Sequence, residues 1–259
     1  MVDDVKLLAM DVVDKIYNKV RKSFSTDFHR FKNNVGIGAD GTPTKYIDKI
    51  AEDVALKTIN TSRIKVNVLS EECGFVDNGG EFVFVLDPVD GTRNASRGVP
   101  FYSVSLAVGK KNLSDIWYGL VKNIPTGNLF VAEKGHGAFL NKKQVAAPEI
   151  PDKQILSCLS LGNNYDEKTI RFVKKEKVRS LGAASLEMCL VATGALDYYA
   201  MGREYLRVTD IAAAALFVRE AGGYVTNILG EKLDMSLNLD ERTSVLAACN
   251  KDLIKRIIS

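Results

Sequence analysis

Residues Val83–Asn94 read VFVLDPVDGTRN. With Glu81 and Phe82 ahead of it, the run Phe82–Leu86 is apolar without alternation, the pattern of a strand buried on both faces. Asp87 ends that strand. Pro88 fixes a bend, Asp90 follows, and Gly91 permits a tight backbone path. Two carboxylates at the end of an apolar strand carry a large desolvation cost unless a cation meets them. A hard divalent ion such as Mg²⁺ is the simplest partner, because it takes oxygen ligands and keeps waters and substrate phosphate oxygens in its remaining positions. The spacing lets Asp87, Asp90 and the Val89 carbonyl face one point. Gly91-Thr92 then begins a helix whose free N–H groups suit a phosphate. Taken alone, Asp-Pro-x-Asp-Gly is also the composition of an ordinary turn. Further acids stand at comparable apolar edges. Glu71-Glu72 follow the alternating run Ile64–Leu69, where a solvated loop is the ordinary reading, and Asp210 precedes the apolar Ile211–Leu216, where a simple N-cap is.

Outward from this stretch, Val5, Leu8, Val12, Ile16 and Val20 recur at helical spacing, and a second helix is expected over about Asp48–Asn60. Gly36–Thr44 (GIGADGTPT) is expected to be a loop or turn. It formally fits GxGxxG, but no buried strand precedes it and Thr42-Pro43 interrupts any helix, so it is not a dinucleotide fingerprint. Strands are expected at Tyr102–Val108, Ile116–Val121 and Asn128–Ala132. Prolines and polar residues at Ala147–Asp152 suggest a boundary between domains at 1–149 and 150–259. Beyond it, strands at Ile155–Ser160, Lys177–Ser180, Leu196–Ala200 and Ser244–Ala248 alternate with helices at Glu167–Lys175, Ala184–Thr193, Asp210–Ala221 and Lys251–Ile258. The last turn of the Asp210 helix is followed by Gly222-Gly223. An α+β first half and an α/β second half result.

Composition narrows the function. The chain has 259 residues, 46% of them apolar, enough for a large core. Its 35 Lys and Arg against 32 Asp and Glu leave +3, too balanced for a nucleic-acid binder. No apolar run is long enough for a membrane span, and the acidic N-terminus is unlike a signal peptide. Cys73, Cys158, Cys189 and Cys249 form no CxxC pair, which argues against a zinc cage or disulfide framework and for a reducing cytoplasm. His29 and His136 have no nucleophile nearby in sequence and read as surface histidines. Acids, hydroxyls and metal ions remain as the chemical tools.

Three motifs in order, Ser70-Glu71-Glu72, Asp87-Pro88-Val89-Asp90-Gly91-Thr92-Arg93-Asn94, and Asp210-Ile211-Ala212-Ala213 with Arg219–Gly223, resemble the inositol monophosphatase superfamily from about Asp40 to Asn250. Gly38–Asp48 and Glu204–Ala213 are similar to the archaeal branch acting on both inositol phosphate and fructose 1,6-bisphosphate. The resemblance implies an α/β (α+β) fold, a layered α-β-α-β-α sandwich. It also implies a Mg²⁺-dependent phosphatase of small phosphorylated sugars or polyols, with two or three ions per subunit, Mn²⁺ as a substitute, lithium inhibition and a homodimer.

Residue by residue, the resemblance places Glu71, Asp87, the Val89 carbonyl, Asp90 and Asp210 as metal ligands, with Asp40 helping to hold a third ion from a catalytic loop. Asp48 and Thr92 position and activate water, with Glu71 helping to remove its proton. The Gly91 and Thr92 amides cradle the phosphate, and Gly182, Ala183 and Ala184 contact the sugar or inositol ring. Arg203 and Arg207 are candidates for a second anionic group. The sequence departs from the family at Thr209, where a Trp is common, at Arg93, and in lacking a lysine near Gly38; these bear on substrate preference. Two rivals are a phosphatase of 3′-phosphoadenosine 5′-phosphate on the same scaffold and a non-catalytic phosphosugar sensor.

Overall fold

The computed structural model describes residues 1–148, 154–161 and 177–258. Helix α1 (Val2–Thr26) and helix α2 (Tyr46–Thr61) pack together on one face of an eight-stranded sheet. Its members are β3 (Asn67–Ser70), β4 (Gly74–Val76), β5 (Val83–Asp90), β6 (Ser103–Gly109), β7 (Tyr118–Asn123), β8 (Leu129–Glu133), β9 (Gly137–Leu140) and β10 (Lys143–Val145), in the order β10-β9-β8-β7-β6-β5-β3-β4. Only β3 and β5 run parallel; the other neighbours are antiparallel.

All eight residues of β5 are buried, and the strand's period of two divides them between two cores. Phe84 and Leu86 face Val12, Ile16, Ile47 and Ala51 of the first helical layer. Val83 and Val85 face the opposite core, with Ala212, Ala213 and Leu216. That core is filled by α4 (Ala184–Ala192) and α5 (Val208–Glu220), which pack against each other. Beyond them lies a five-stranded sheet of β11 (Leu156–Leu159), β12 (Lys177–Arg179), β13 (Tyr198–Leu206), β14 (Tyr224–Thr226) and β15 (Thr243–Ala248), ordered β12-β11-β13-β15-β14. Helix α6 (Lys251–Ile258) packs on β15. The layers therefore run α-β-α-β-α. Helix α5 is buried from Val208 through Val218 because sheets cover it on two sides, which is why its sequence is apolar all round.

The turn expected within Gly36–Thr44 is the tip of a hairpin: β1 (Asn34–Ile37) and β2 (Pro43–Lys45) pair antiparallel on either side of it, with a register shift between Asn34 and Gly36. The glycines and threonines that suggested a loop serve a turn with Gly41 at φ 82°. The short strands β4, β9 and β10 lie where no strand was expected. The helix expected at Glu167–Lys175 lies outside the described residues. No helix among the described residues is long and apolar enough to cross a membrane.

Candidate active site

The parallel pairing of β3 and β5 sets Ser70 opposite Leu86, so the next residues, Glu71 and Asp87, leave the sheet at the same edge. The C-terminal ends of parallel strands are where such folds place their ligands. The β5–β6 register shifts between Asp87 and Asp90, which accommodates Pro88 and its missing N–H. Asp90 thus re-enters the sheet edge opposite Ser103. From the other side, α5 brings Asp210 at the third position of its first turn, where Oδ2 accepts the Arg207 N–H at 2.8 Å. The helix starts two residues earlier than expected, so Asp210 is not its N-cap.

Glu71, Asp87, Val89, Asp90, Gly91, Thr92 and Asp210 line a single cavity of about 260 Å³. Asp87, Asp90 and Asp210 are only 3%, 8% and 7% exposed. Burial pushes the Asp87 carboxyl well above its ordinary range, and Glu71, Asp90 and Asp210 push it the same way. Burial likewise raises Glu71, with Arg207 partly opposing. Burial raises Asp90 to about 7, against the stabilising hydrogen bonds of Ser185. Ser185 donates its N–H to Asp90 Oδ2 at 2.8 Å and its hydroxyl at 2.5 Å.

Thr92 Oγ1 lies 2.9 Å from both Asp48 Oδ1 and the Val89 carbonyl oxygen. Asp48 sits in the first turn of α2, accepts the Lys45 N–H at 3.3 Å, and is raised to about 7 by burial, with the Thr92 hydrogen bond opposing. The Thr92 hydroxyl is therefore shared between two acceptors, the Asp48 carboxylate on α2 and the Val89 carbonyl on β5.

Asp40 stands at the tip of the β1–β2 hairpin. Its N–H reaches the Glu71 carbonyl at 3.2 Å, and its Oδ1 accepts the Thr42 N–H and hydroxyl at 2.8 Å. Gly182 and Ala184 line the cavity, whereas Ala183 is buried with its Cβ facing Gly91. Arg203 is exposed on β13 and does not line the cavity. Arg207 lines it, but its guanidinium is bound to acids: to Asp40, to Glu71 at 2.5 Å and to Asp210 at 3.4 Å. Burial disfavours its charge, but Asp210 and Glu71 outweigh this and push its pKa up.

Three supporting residues were missed. Glu187 of α4 is fully buried, and its Oε1 accepts the N–H groups of Leu181 at 2.8 Å and Gly182 at 3.1 Å. It therefore shapes the turn that walls the cavity. A lone acid in the apolar run ASLEMCLVA was the available signal. Glu52 accepts from the Ser70 hydroxyl at 2.7 Å and the Cys73 N–H at 3.0 Å, fixing the segment that carries Glu71. Its place one helical turn after Asp48 was the clue. Ser185 carried no comparable signal.

Among the described residues no three acids already stand in ligand geometry around one point. The donor set nevertheless fits a hard divalent cation. The carboxylates of Glu71, Asp87, Asp90 and Asp210 line one water-accessible cavity, their burial and mutual repulsion call for positive charge, and Arg207 supplies only one.

The whole chain, residues 1–259, matches the sequence profile of the inositol monophosphatase family. It is 40% identical over 240 residues to a fructose-1,6-bisphosphatase/inositol-1-monophosphatase of Methanothermobacter thermautotrophicus, covering 86% of this chain and 85% of that one. It is 36% identical to a bifunctional NADP phosphatase/NAD kinase of Methanocaldococcus jannaschii over 97% of this chain but only 49% of the relative. Among solved structures it is similar to a hypothetical protein of Pyrococcus horikoshii described as having similarities to inositol-1 monophosphatase. That match has a TM-score of 0.85 at 29% identity and covers 100% of this chain and 98% of the other.

Proposed function

The chain belongs to the inositol monophosphatase family of phosphoric monoester hydrolases, and from that premise we propose that it is a Mg²⁺-dependent phosphatase of small phosphorylated polyols and sugars, inositol 1-phosphate and fructose 1,6-bisphosphate first among them. The observation that carries this reading is the convergence of Glu71, Asp87, Asp90 and Asp210, far apart in sequence, on the cavity that also exposes Gly91 and Thr92.

Glu71, Asp87, the Val89 carbonyl, Asp90 and Asp210 would hold the ions. When bound, divalent metal supplies positive charge that offsets the substrate dianion and acidifies water. The chain's own residues do the rest. Thr92 Oγ1 and Asp48 form a relay in which the hydroxyl orients a water and the carboxylate takes a proton. A base matched to neutral pH is suited to that role, and burial raises Asp48 to about 7. Ser185 fixes the rotamer of Asp90, and Glu52 fixes the backbone next to Glu71. Gly182 and Ala184 wall the side on which the alcohol portion of the ester would lie.

The test is phosphate release from inositol 1-phosphate, fructose 1,6-bisphosphate, 3′-phosphoadenosine 5′-phosphate and NADP, with and without Mg²⁺. Metal-dependent release from the first two is expected. Asp87→Asn and Asp90→Asn should each lower it at least about a hundred-fold while leaving the circular dichroism spectrum unchanged. Silence on every substrate would favour a sensor, and near-wild-type turnover in either variant would overturn the assignments.

A further inference from the structure

A second cavity, of about 730 Å³, opens where the segment after α1 meets the foot of the β1–β2 hairpin and helix α3 (Thr92–Arg97). His29, Lys32, Lys45, Arg93 and Arg97 line it, with Phe28 and Ser96. No acid is among the lining residues, in a chain whose net charge is only +3. Among the described residues Lys32, Lys45 and Arg97 make no ion pair within 4.0 Å; Lys45 Nζ lies 3.5 Å from the Asn34 side-chain oxygen, and its charge also acts on Asp48. The nearby acid in sequence, Asp27, is engaged by Thr26 at 2.8 Å and Arg30 at 3.6 Å.

The walls are built rather than incidental. Phe28 stacks on Phe24 with centroids 5.4 Å apart and meets the buried Phe31 edge-on at 5.7 Å. Phe24 in turn stacks on Tyr102 at 5.6 Å, which ties this corner to the first core. Gly98 ends α3 at φ 75°, and a Cβ there would lie 3.2 Å from the Phe28 ring, so helix and segment are in close contact. Arg93 and Arg97 are four residues apart on one helix and project from the same side.

Cations gathered in a concave site repel one another and focus a positive potential into it, a cost that an anion removes. Guanidinium forks match phosphate oxygens two at a time, lysines add point charges, and the half-exposed Phe28 ring offers an apolar face. The volume falls within the roughly 300–1,000 Å³ of small-molecule sites, more than one phosphate requires. We propose that this basin is an anion site, separate from the acid-lined cavity, for an organic or inorganic polyphosphate bearing at least two linked phosphate groups. It adjoins the catalytic relay at both ends. Lys45 immediately precedes α2 and its Asp48, and Arg93 immediately follows Thr92. A ligand drawing on Lys45 and Arg93 therefore bears on the Asp48–Thr92 pair.

The test is isothermal titration of the metal-stripped, full-length protein with pyrophosphate and, in a second arm, with ADP at low ionic strength. Without metal the only cation lining the catalytic cavity is Arg207, already paired with Asp40, Glu71 and Asp210, so that cavity offers neither probe a free cation and the measurement does not depend on the proposed activity. Saturable binding is expected, weakened at least about ten-fold in a Lys32→Glu/Arg97→Glu double variant. That variant should keep its melting temperature and its turnover of inositol 1-phosphate. Asp87→Asn should bind like the wild type. Equal affinities in the two arms assign the site to phosphate alone, and tighter ADP binding adds the Phe28 face. The proposal is overturned by absence of saturable binding, by equal binding in the double variant, or by loss of binding in Asp87→Asn, which would put the anion in the catalytic cavity.

Discussion

Arg207 is the residue on which the charge balance of the active site turns. Its guanidinium meets Asp40, Glu71 and Asp210, all three of which are expected to help hold metal, and its side chain is only 18% exposed. The family resemblance makes it a candidate for a second anionic group of the substrate; its partners in the structure are carboxylates. Removing one partner of a buried ion pair costs about 3–5 kcal/mol, because the remaining charges are left uncompensated. Arg207→Gln keeps the backbone N–H that caps Asp210, so the metal-stripped variant should lose about 3 kcal/mol in urea unfolding, and saturating Mg²⁺ should shrink the deficit. An equal loss with and without Mg²⁺ would mean that metal and guanidinium do not serve the same carboxylates. A related consequence concerns pH. Asp48 and Asp90 are raised from 3.8 to about 7 by burial, and Asp87 and Glu71 move the same way. The folded state therefore holds more protons than the unfolded chain across that window, so the contribution of these groups to stability is fully present below about 4 and is lost as pH rises through about 7. The urea midpoint of metal-stripped protein should fall between pH 5 and about 8. A rising midpoint would show that these carboxylates ionise at their ordinary values in the fold.

At the scale of elements, the hinge between β5 and α3 decides whether Asp90 and Thr92 face the same cavity. Gly91 makes that hinge at φ 89°, and a Cβ there would lie 3.1 Å from Ala183 Cβ and Phe101 O and 3.2 Å from Gly182 O. Gly91→Ala should cost about 1–3 kcal/mol in stability and lower kcat more than it raises KM, because it displaces Thr92 from Asp48. Wild-type kcat in a folded Gly91→Ala protein would show that the hinge tolerates a side chain. This element was legible in advance because its signals are local: an apolar run, a proline, two acids and a glycine in twelve consecutive residues. Helices α1 and α2 were legible through their periodicity, and α5 through its apolar run and the two glycines that follow it. The β1–β2 hairpin was hidden because its exposed residues show no alternation, and its tip is held by the Glu71 and Glu72 carbonyls about 30 residues away. The pairing of Arg207 with Asp40 spans 167 residues and the bond from Ser185 to Asp90 spans 95, distances at which no sequence pattern operates.

For the whole molecule, the separation of the layers sets where Asp210 stands relative to Asp87, since the two come from different layers. Helix α5 lies between the sheets and carries the run Ala212–Ala215. On the facing strand, β7, stands Gly119, where a Cβ would approach the Ala213 carbonyl oxygen to 3.0 Å and its Cα to 3.1 Å. Helix and sheet are thus in backbone contact one turn from Asp210, and small side chains on both partners permit it. Gly119→Val must push α5 off the sheet, because the obstructing atoms are main chain and cannot rotate away. Overpacking of this kind costs about 1–3 kcal/mol. The displacement reaches Asp210 through a rigid helix, so turnover should also fall at temperatures well below the melting transition, with inositol 1-phosphate and saturating Mg²⁺ as the assay. A Gly119→Val protein that melts and turns over like the wild type would show that the central helix can shift without moving its carboxylate, and that the spacing of the layers does not set the geometry of the site.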